Sequence, residues 1–177
     1  MNFTFRTKKN ILSAALIAPL LFAGSSSART TEQPSTASVN RPSGITTVGT
    51  IEIPVVGLAT RVLEGSNAGT LRLAVGHIPG TALPGRSGNV GLAGHRDTYF
   101  RPLRKIKLGD EIRLTTAAGA FKYRVISLRV VLPSAIEVLK DTPEPTLTLV
   151  TCYPFDFVGT APQRLIVHAE MVPDSAN

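Results

Sequence analysis

The chain has only one cysteine, Cys152, among 177 residues, so no internal disulfide can form. A single unpaired thiol in an exported chain points to intermolecular pairing or to a free reactive group. Beyond the first residues there is no dense run of lysine or arginine, which removes the electrostatic footprint of a nucleic-acid-binding protein. The richest basic stretch, RPLRKIK at 101–107, reads as a solvated turn face. No internal repeat is present, and no cluster of acidic side chains compels a cation site. Long apolar runs are also missing: the longest, ILSAALIAPLLFAG, has 14 residues and contains Pro19, whereas a spanning helix needs about 20.

What is present describes one exported domain. Arg6, Lys8 and Lys9 precede the apolar run, and Ser26 and Ala28 follow it in small-x-small spacing. Residues 1–28 therefore read as a secretory signal peptide or a signal anchor. Anchoring would place the protein at the membrane, facing outward, and cleavage would make it secreted or periplasmic. Residues 29–44, RTTEQPSTASVNRPSG, have almost no apolar side chains and read as a flexible linker. Residues 45–173 form the folded domain, long enough for one real core. A 43% hydrophobic and 18% charged composition fits a globular chain. The net charge of +7 owes part of its size to the leader, which holds no acidic residue.

The pattern along 45–173 is one of short strands between turns. Ile51, Ile53 and Val55 alternate with polar or turn residues, and LATRVLEG (58–65) ends at Gly65. Residues 67–80 mix apolar residues with breakers and read as a strand or a short helix. GNVGLAGH (88–95) is a buried-strand candidate. DEIRLTT (110–116) and FKYRVISLRVVL (121–132) form a hairpin joined by AAGA. PTLTLVTC (145–152) and RLIVHAEMV (164–172) complete the set, and AIEVLKD fits one helical turn between Pro133 and Pro145. Seven or eight strands at this spacing predict an all-β barrel or sandwich.

Cys152 lies at the end of a predicted strand, where catalytic groups sit on rigid scaffolds. The competing reading is a small core hydrophobe. A thiol nucleophile needs a base or cation beside it, because thiolate is the attacking species. Three histidines are available. His95 ends a strand whose glycines would let a substrate approach, His77 precedes a Pro/Gly turn, and His168 alternates within a strand. Local pattern ranks them in that order with little between the first two. Arg164 opens the last strand and could point back at the thiol if strands 145–152 and 164–172 are neighbours. Its guanidinium would then offer fixed charged donors to an oxyanion. An exposed strand arginine is the plainer alternative.

TLVTC (148–152), NVGLAGHRD (89–97) and PQRLIV (162–167) resemble the nucleophile, histidine and arginine segments of the sortase family, most closely class D. GHIPGTALPG (76–85) and YFRPLRKIKLGDEI (99–112) fit the flanking regions, so the resemblance runs from about Gly49 to Val172. It implies an eight-stranded β-barrel with one or two short helices, and a cysteine transpeptidase. It makes Cys152 the nucleophile, His95 the acid/base and Arg164 the oxyanion-stabilising group, and it leaves His77 structural. Residues 128–145 correspond to the family's loop beside the sorting-signal pocket, which makes Ile136, Val138 and Leu139, with Thr151, candidate substrate contacts. Implied partners are exported proteins bearing a sorting signal and an amine acceptor, such as a peptidoglycan precursor or a pilin lysine. No cofactor is implied, although some sortases use calcium, for which Glu111, Glu137, Asp141 and Glu144 offer weak ligands.

Three other readings stand beside this one. A cysteine peptidase would release the same acyl group to water. An L,D-transpeptidase would need a Ser/Gly-rich nucleophile motif, which is absent around Cys152. A β-sandwich binding module would bury the thiol and leave it inert.

Overall fold

A computed structural model describes residues 45–173. The leader and linker assigned above, residues 1–44, lie outside the described residues. Among the described residues no helix is long and apolar enough to cross a membrane.

Eight strands close into a barrel. In chain order they are β1 (Thr47–Ile53), β2 (Leu58–Glu64), β3 (Val75–His77), β4 (Asn89–Gly94), β5 (Glu111–Thr116), β6 (Gly119–Val131), β7 (Thr146–Tyr153) and β8 (Gln163–Val172). Around the barrel the order is β1-β2-β3-β4-β7-β8-β6-β5, closed by β5 against β1. Two pairings are parallel, β2 with β3 and β4 with β7, and each requires a crossover. Closure leaves no free sheet ends, so the alternating apolar residues share one interior. Ile51, Ile53, Leu92, Ile112, Leu114, Leu147 and Leu149 are fully buried there, with Phe100 and Tyr123.

The segment that read as strand or helix contains both. Asn67 accepts hydrogen bonds from the amides of Gly69 (2.9 Å) and Thr70 (3.1 Å). That cap starts helix α1 (Ala68–Leu73), and strand β3 follows within two residues. Three short 3-10 helices, at Pro54–Val56, Arg101–Lys105 and Ile136–Leu139, complete the elements. The basic stretch at 101–107 contains the second of these, with Leu103 and Ile106 buried and its arginines and lysines exposed, as a solvated turn face requires. The β5–β6 hairpin is tighter than AAGA suggests, since Gly119 already pairs with Thr116.

β6 is the longest strand, at 13 residues. It pairs with β5 as far as Arg124 and with β8 from Lys122 to Val131, the second pairing being irregular between Val125 and Ser127. The β6–β7 connection therefore begins at Leu132, because the first four residues of the segment 128–145 are strand.

Candidate active site

The strands β4, β7 and β8 set the register of the three reactive side chains. Cys152 on β7 pairs directly with Arg164 on β8, and opposed residues of an antiparallel pair hold their Cβ atoms about 5 Å apart on the same face. β7 also runs parallel to β4, with Gly94 level with Thr151. Cys152 follows Thr151 and His95 follows Gly94, just past the end of β4, so the chain leaves β4 at His95 level with the thiol-bearing residue.

Alternation decides which face carries them. Leu147, Leu149 and Thr151 on β7, and Leu165, Val167 and Ala169 on β8, point into the barrel. Cys152 and Arg164 point outward, and both are half-buried, as is His95. Arg164 Nη1 donates to the carbonyls of Gln163 (2.8 Å) and Ala161 (3.2 Å). Those bonds orient the guanidinium and leave Nε and Nη2 without a bond among the described residues.

His95 is held through its backbone. Its carbonyl accepts from the amides of Phe100 (3.0 Å) and Thr98 (3.4 Å), which curls the chain back after β4. The Thr151 hydroxyl donates to the Gly94 carbonyl (2.8 Å), locking the residue before His95 to the residue before Cys152. Thr151 is 2% exposed, so its side chain braces the strand pair from below the groove. The glycines that precede His95 serve the protein's own packing. A Cβ at Gly94 would fall 2.7 Å from the Phe100 ring, and one at Gly91 would fall 2.9 Å from Thr81 Cγ2 and 3.1 Å from Leu139 Cδ2.

The 3-10 helix Ile136–Leu139 lies over β4. Asn89 Nδ2 donates to the carbonyls of Val138 (3.1 Å) and Lys140 (3.2 Å), and the Asn89 amide donates to Asp141 Oδ1 (3.2 Å). Thr148 Oγ1 donates to Asn89 Oδ1 (2.8 Å) and lies 3.0 Å from His168 Nδ1. Because the threonine's only hydrogen is spent on Asn89, its oxygen accepts from His168 Nδ1–H. Burial holds His168 below the ordinary histidine value, with Glu170 pulling weakly the other way. Of the candidate substrate contacts, Ile136 is 76% exposed, while Val138 and Leu139 are half-buried on the helix.

Two hollows flank these elements. One of about 240 Å³ lies on the outward face, between this helix, Ile166 and His168 on β8, and Ser127 and Arg129 on β6. A larger one of about 390 Å³ is lined by Leu103, Leu128, Val130, Tyr153, Phe155 and Leu165. Neither hollow is lined by Cys152, His95 or Arg164.

His77 is engaged elsewhere. It is buried, with Nδ1 2.9 Å from Glu64 Oε2 and Nε2 2.9 Å from the Ala82 carbonyl. Among the described residues no three His, Cys, Asp or Glu side chains gather to hold a metal ion. Glu111 pairs with Arg113 on β5, which lowers its pKa, and Asp141 receives the Asn89 amide. Glu111, Glu137, Asp141 and Glu144 do not gather as one set among the described residues. Asn89, Thr148 and Arg96 escaped the sequence reading. A lone asparagine opening an otherwise apolar strand was the one available signal for the first.

A family model described as Sortase domain matches residues 51–172, and the chain belongs to the sortase family of cysteine transpeptidases. It is 31% identical to Sortase D of Bacillus subtilis (strain 168) over 168 residues, covering 94% of this chain and 85% of that protein. Sortase A of Listeria monocytogenes is 32% identical over 109 residues, where the chain spans 49% of that protein's length. Among solved structures, a Clostridium perfringens Sortase D5 transpeptidase superposes with a TM-score of 0.65 at 36% identity, over 73% of this chain and 79% of that one. Sortase A from Corynebacterium diphtheriae gives 0.70 at 30% identity, over 76% and 64%.

Proposed function

We propose that this sortase cleaves a C-terminal sorting signal of exported proteins through a thioacyl intermediate on Cys152 and passes the acyl group to an amine at the cell envelope. The observation that carries the reading is the direct cross-strand pairing of Cys152 with Arg164, with His95 one step beyond the Gly94–Thr151 register pair.

The chemistry follows from those three groups. The Cys152 thiolate attacks a peptide carbonyl carbon, forming a C–S bond and moving the carbonyl electron pair onto oxygen. The uncommitted donors of Arg164 stabilise that oxyanion. As it collapses, the C–N bond breaks and His95, as imidazolium, gives its proton to the departing nitrogen. A thioester remains. The acceptor amine then attacks it, neutral His95 takes the amine proton, and the thiolate leaves. If water attacks instead, the outcome is hydrolysis.

The half-exposed thiol supports a reactive Cys152 over the buried thiol of a binding module. The helix at Ile136–Leu139 is the element we assign to substrate selection, with Ile136, Val138 and Leu139 as its candidate contacts. Anchoring by residues 1–28 would hold the domain at the membrane where such substrates emerge.

Labelled pentapeptides incubated with the protein and a primary amine should yield a ligated product. Cys152→Ala should lower its formation by at least about 10³-fold. Full activity in Cys152→Ala would refute the reading, and free acid with no ligated product under any amine would favour the peptidase.

A further inference from the structure

We infer that Arg96 is a positioning residue that sets where His95 stands relative to the Cys152–Arg164 pair, an inference that rests on the function proposed above. Cys152 and Arg164 are joined by the connection 154–162, whose residues 156–160 are exposed. Apart from Arg96, few bonds hold that connection: a long contact from the Phe157 amide to the Pro154 carbonyl (3.5 Å), the surface pair Arg104–Asp156 (3.3 Å) and, at its far end, the bond from Arg164 Nη1 to the Ala161 carbonyl (3.2 Å). Arg96 reaches it from the other side of the site. Its Nη1 donates to the Pro154 carbonyl (2.9 Å), and its Nη2 donates to the carbonyls of Phe157 (2.7 Å) and Gly159 (2.9 Å). The guanidinium carbon also lies 5.9 Å from the centre of the Phe157 ring.

The arrangement brackets His95 on both sides. Gly94, the residue before it, is tied to Thr151, the residue before Cys152. Arg96, the residue after it, is tied to carbonyls that follow Cys152. Among the described residues no hydrogen bond holds the imidazole itself, so its place is fixed by these two tethers and by the turn that follows. A guanidinium suits the task because its planar fork can serve three carbonyls in fixed directions. A lysine ammonium keeps the charge but loses that geometry. The tether works on a proton-transfer residue, where a misplacement of about 1 Å costs on the order of 100-fold in rate.

The test uses the full chain, iodoacetamide as the thiol probe, and the pentapeptide that performs best in the library above. In Arg96→Ala, backbone amides of 155–161 should exchange hydrogen faster while those of β4, β7 and β8 are unchanged. The peptide kcat should fall at least tenfold with a smaller change in KM, and the pH profile of Cys152 alkylation should shift. Arg96→Lys should recover only part of kcat, whereas Arg104→Ala, which removes the surface contact to the same connection, should stay within twofold of the parent. Faster exchange at 155–161 with an unchanged kcat and alkylation profile would overturn the inference and leave the proposed function standing. A full recovery in Arg96→Lys would overturn it as well, since charge alone would then suffice. If Cys152 is inert to iodoacetamide in the unmodified chain, the proposed function fails before any variant is made. Should Arg96→Ala fail to fold, Arg96→Lys carries the same comparison.

Discussion

Two connections wall the site, and they are held in opposite ways. The β6–β7 connection is fastened from beneath by a polar network: buried Asn89 and Thr148 and half-buried His168 form one chain of hydrogen bonds under the helix Ile136–Leu139. The β7–β8 connection is fastened by charged side chains, chiefly Arg96, which makes three of its bonds, with Arg104 and Arg164 making one each. Buried networks are coupled to the folding of the barrel, because an orphaned group there cannot turn to water. A surface tether can be cut with little loss of stability, because water replaces the lost bonds. The first wall should therefore answer to stability measurements and the second to kinetic ones.

Breaking the first wall should have the largest effect on stability. Asn89→Ala leaves the Thr148 hydroxyl and two loop carbonyls without their partner, at a cost of about 3 kcal/mol. Denaturant unfolding should show it as a lower midpoint with an unchanged slope, and an undisturbed midpoint would remove the network from the account. Gly94→Ala strikes the floor that both walls share. The added methyl meets the Phe100 ring at 2.7 Å, and Phe100 in turn bonds the His95 carbonyl. Overpacking of this kind costs about 2 kcal/mol, and Cys152 alkylation should slow with it; a variant as stable and reactive as the parent would show that the ring has room to move.

The smallest effect depends on pH. Burial lowers the His168 pKa in the folded protein. Below the ordinary histidine value of about 6.5 the unfolded chain binds a proton that the folded chain resists. The stability contributed by the neutral ring is thus present above that pH and lost as pH falls toward the lowered folded value. His168→Gln, which cannot titrate, should flatten the fall in melting temperature between about pH 7.5 and 5. Parallel curves for parent and variant would assign the acid sensitivity to another group.

Much of the barrel was legible because its strands alternate cleanly: Ile51 and Ile53, or Leu147 and Leu149, are spaced two apart and all turn inward. The mixed stretch 67–80 was ambiguous because a capped helix of six residues and a three-residue strand share it. Each is too short to show its own period. The reactive residues stood out through the segments that carry them, while their supports did not. Asn89 and Thr148 are 59 residues apart in sequence, and nothing in either neighbourhood announces the other. The glycines before His95 were expected to admit a substrate, but they admit Phe100, Thr81 and Leu139.

By itself, the sequence determined that there is one thiol, that most strands alternate apolar residues, and roughly where those strands lie, since these depend on local pattern and side-chain chemistry. Tertiary structure alone decided that β4 lies parallel to β7 and that β8 returns in the register that sets Arg164 against Cys152. It also decided that Arg96 spans the site to reach the connection beyond. Those facts depend on which strands become neighbours when the barrel closes, and a strand's own residues specify the face it buries far more strongly than the partner it pairs with.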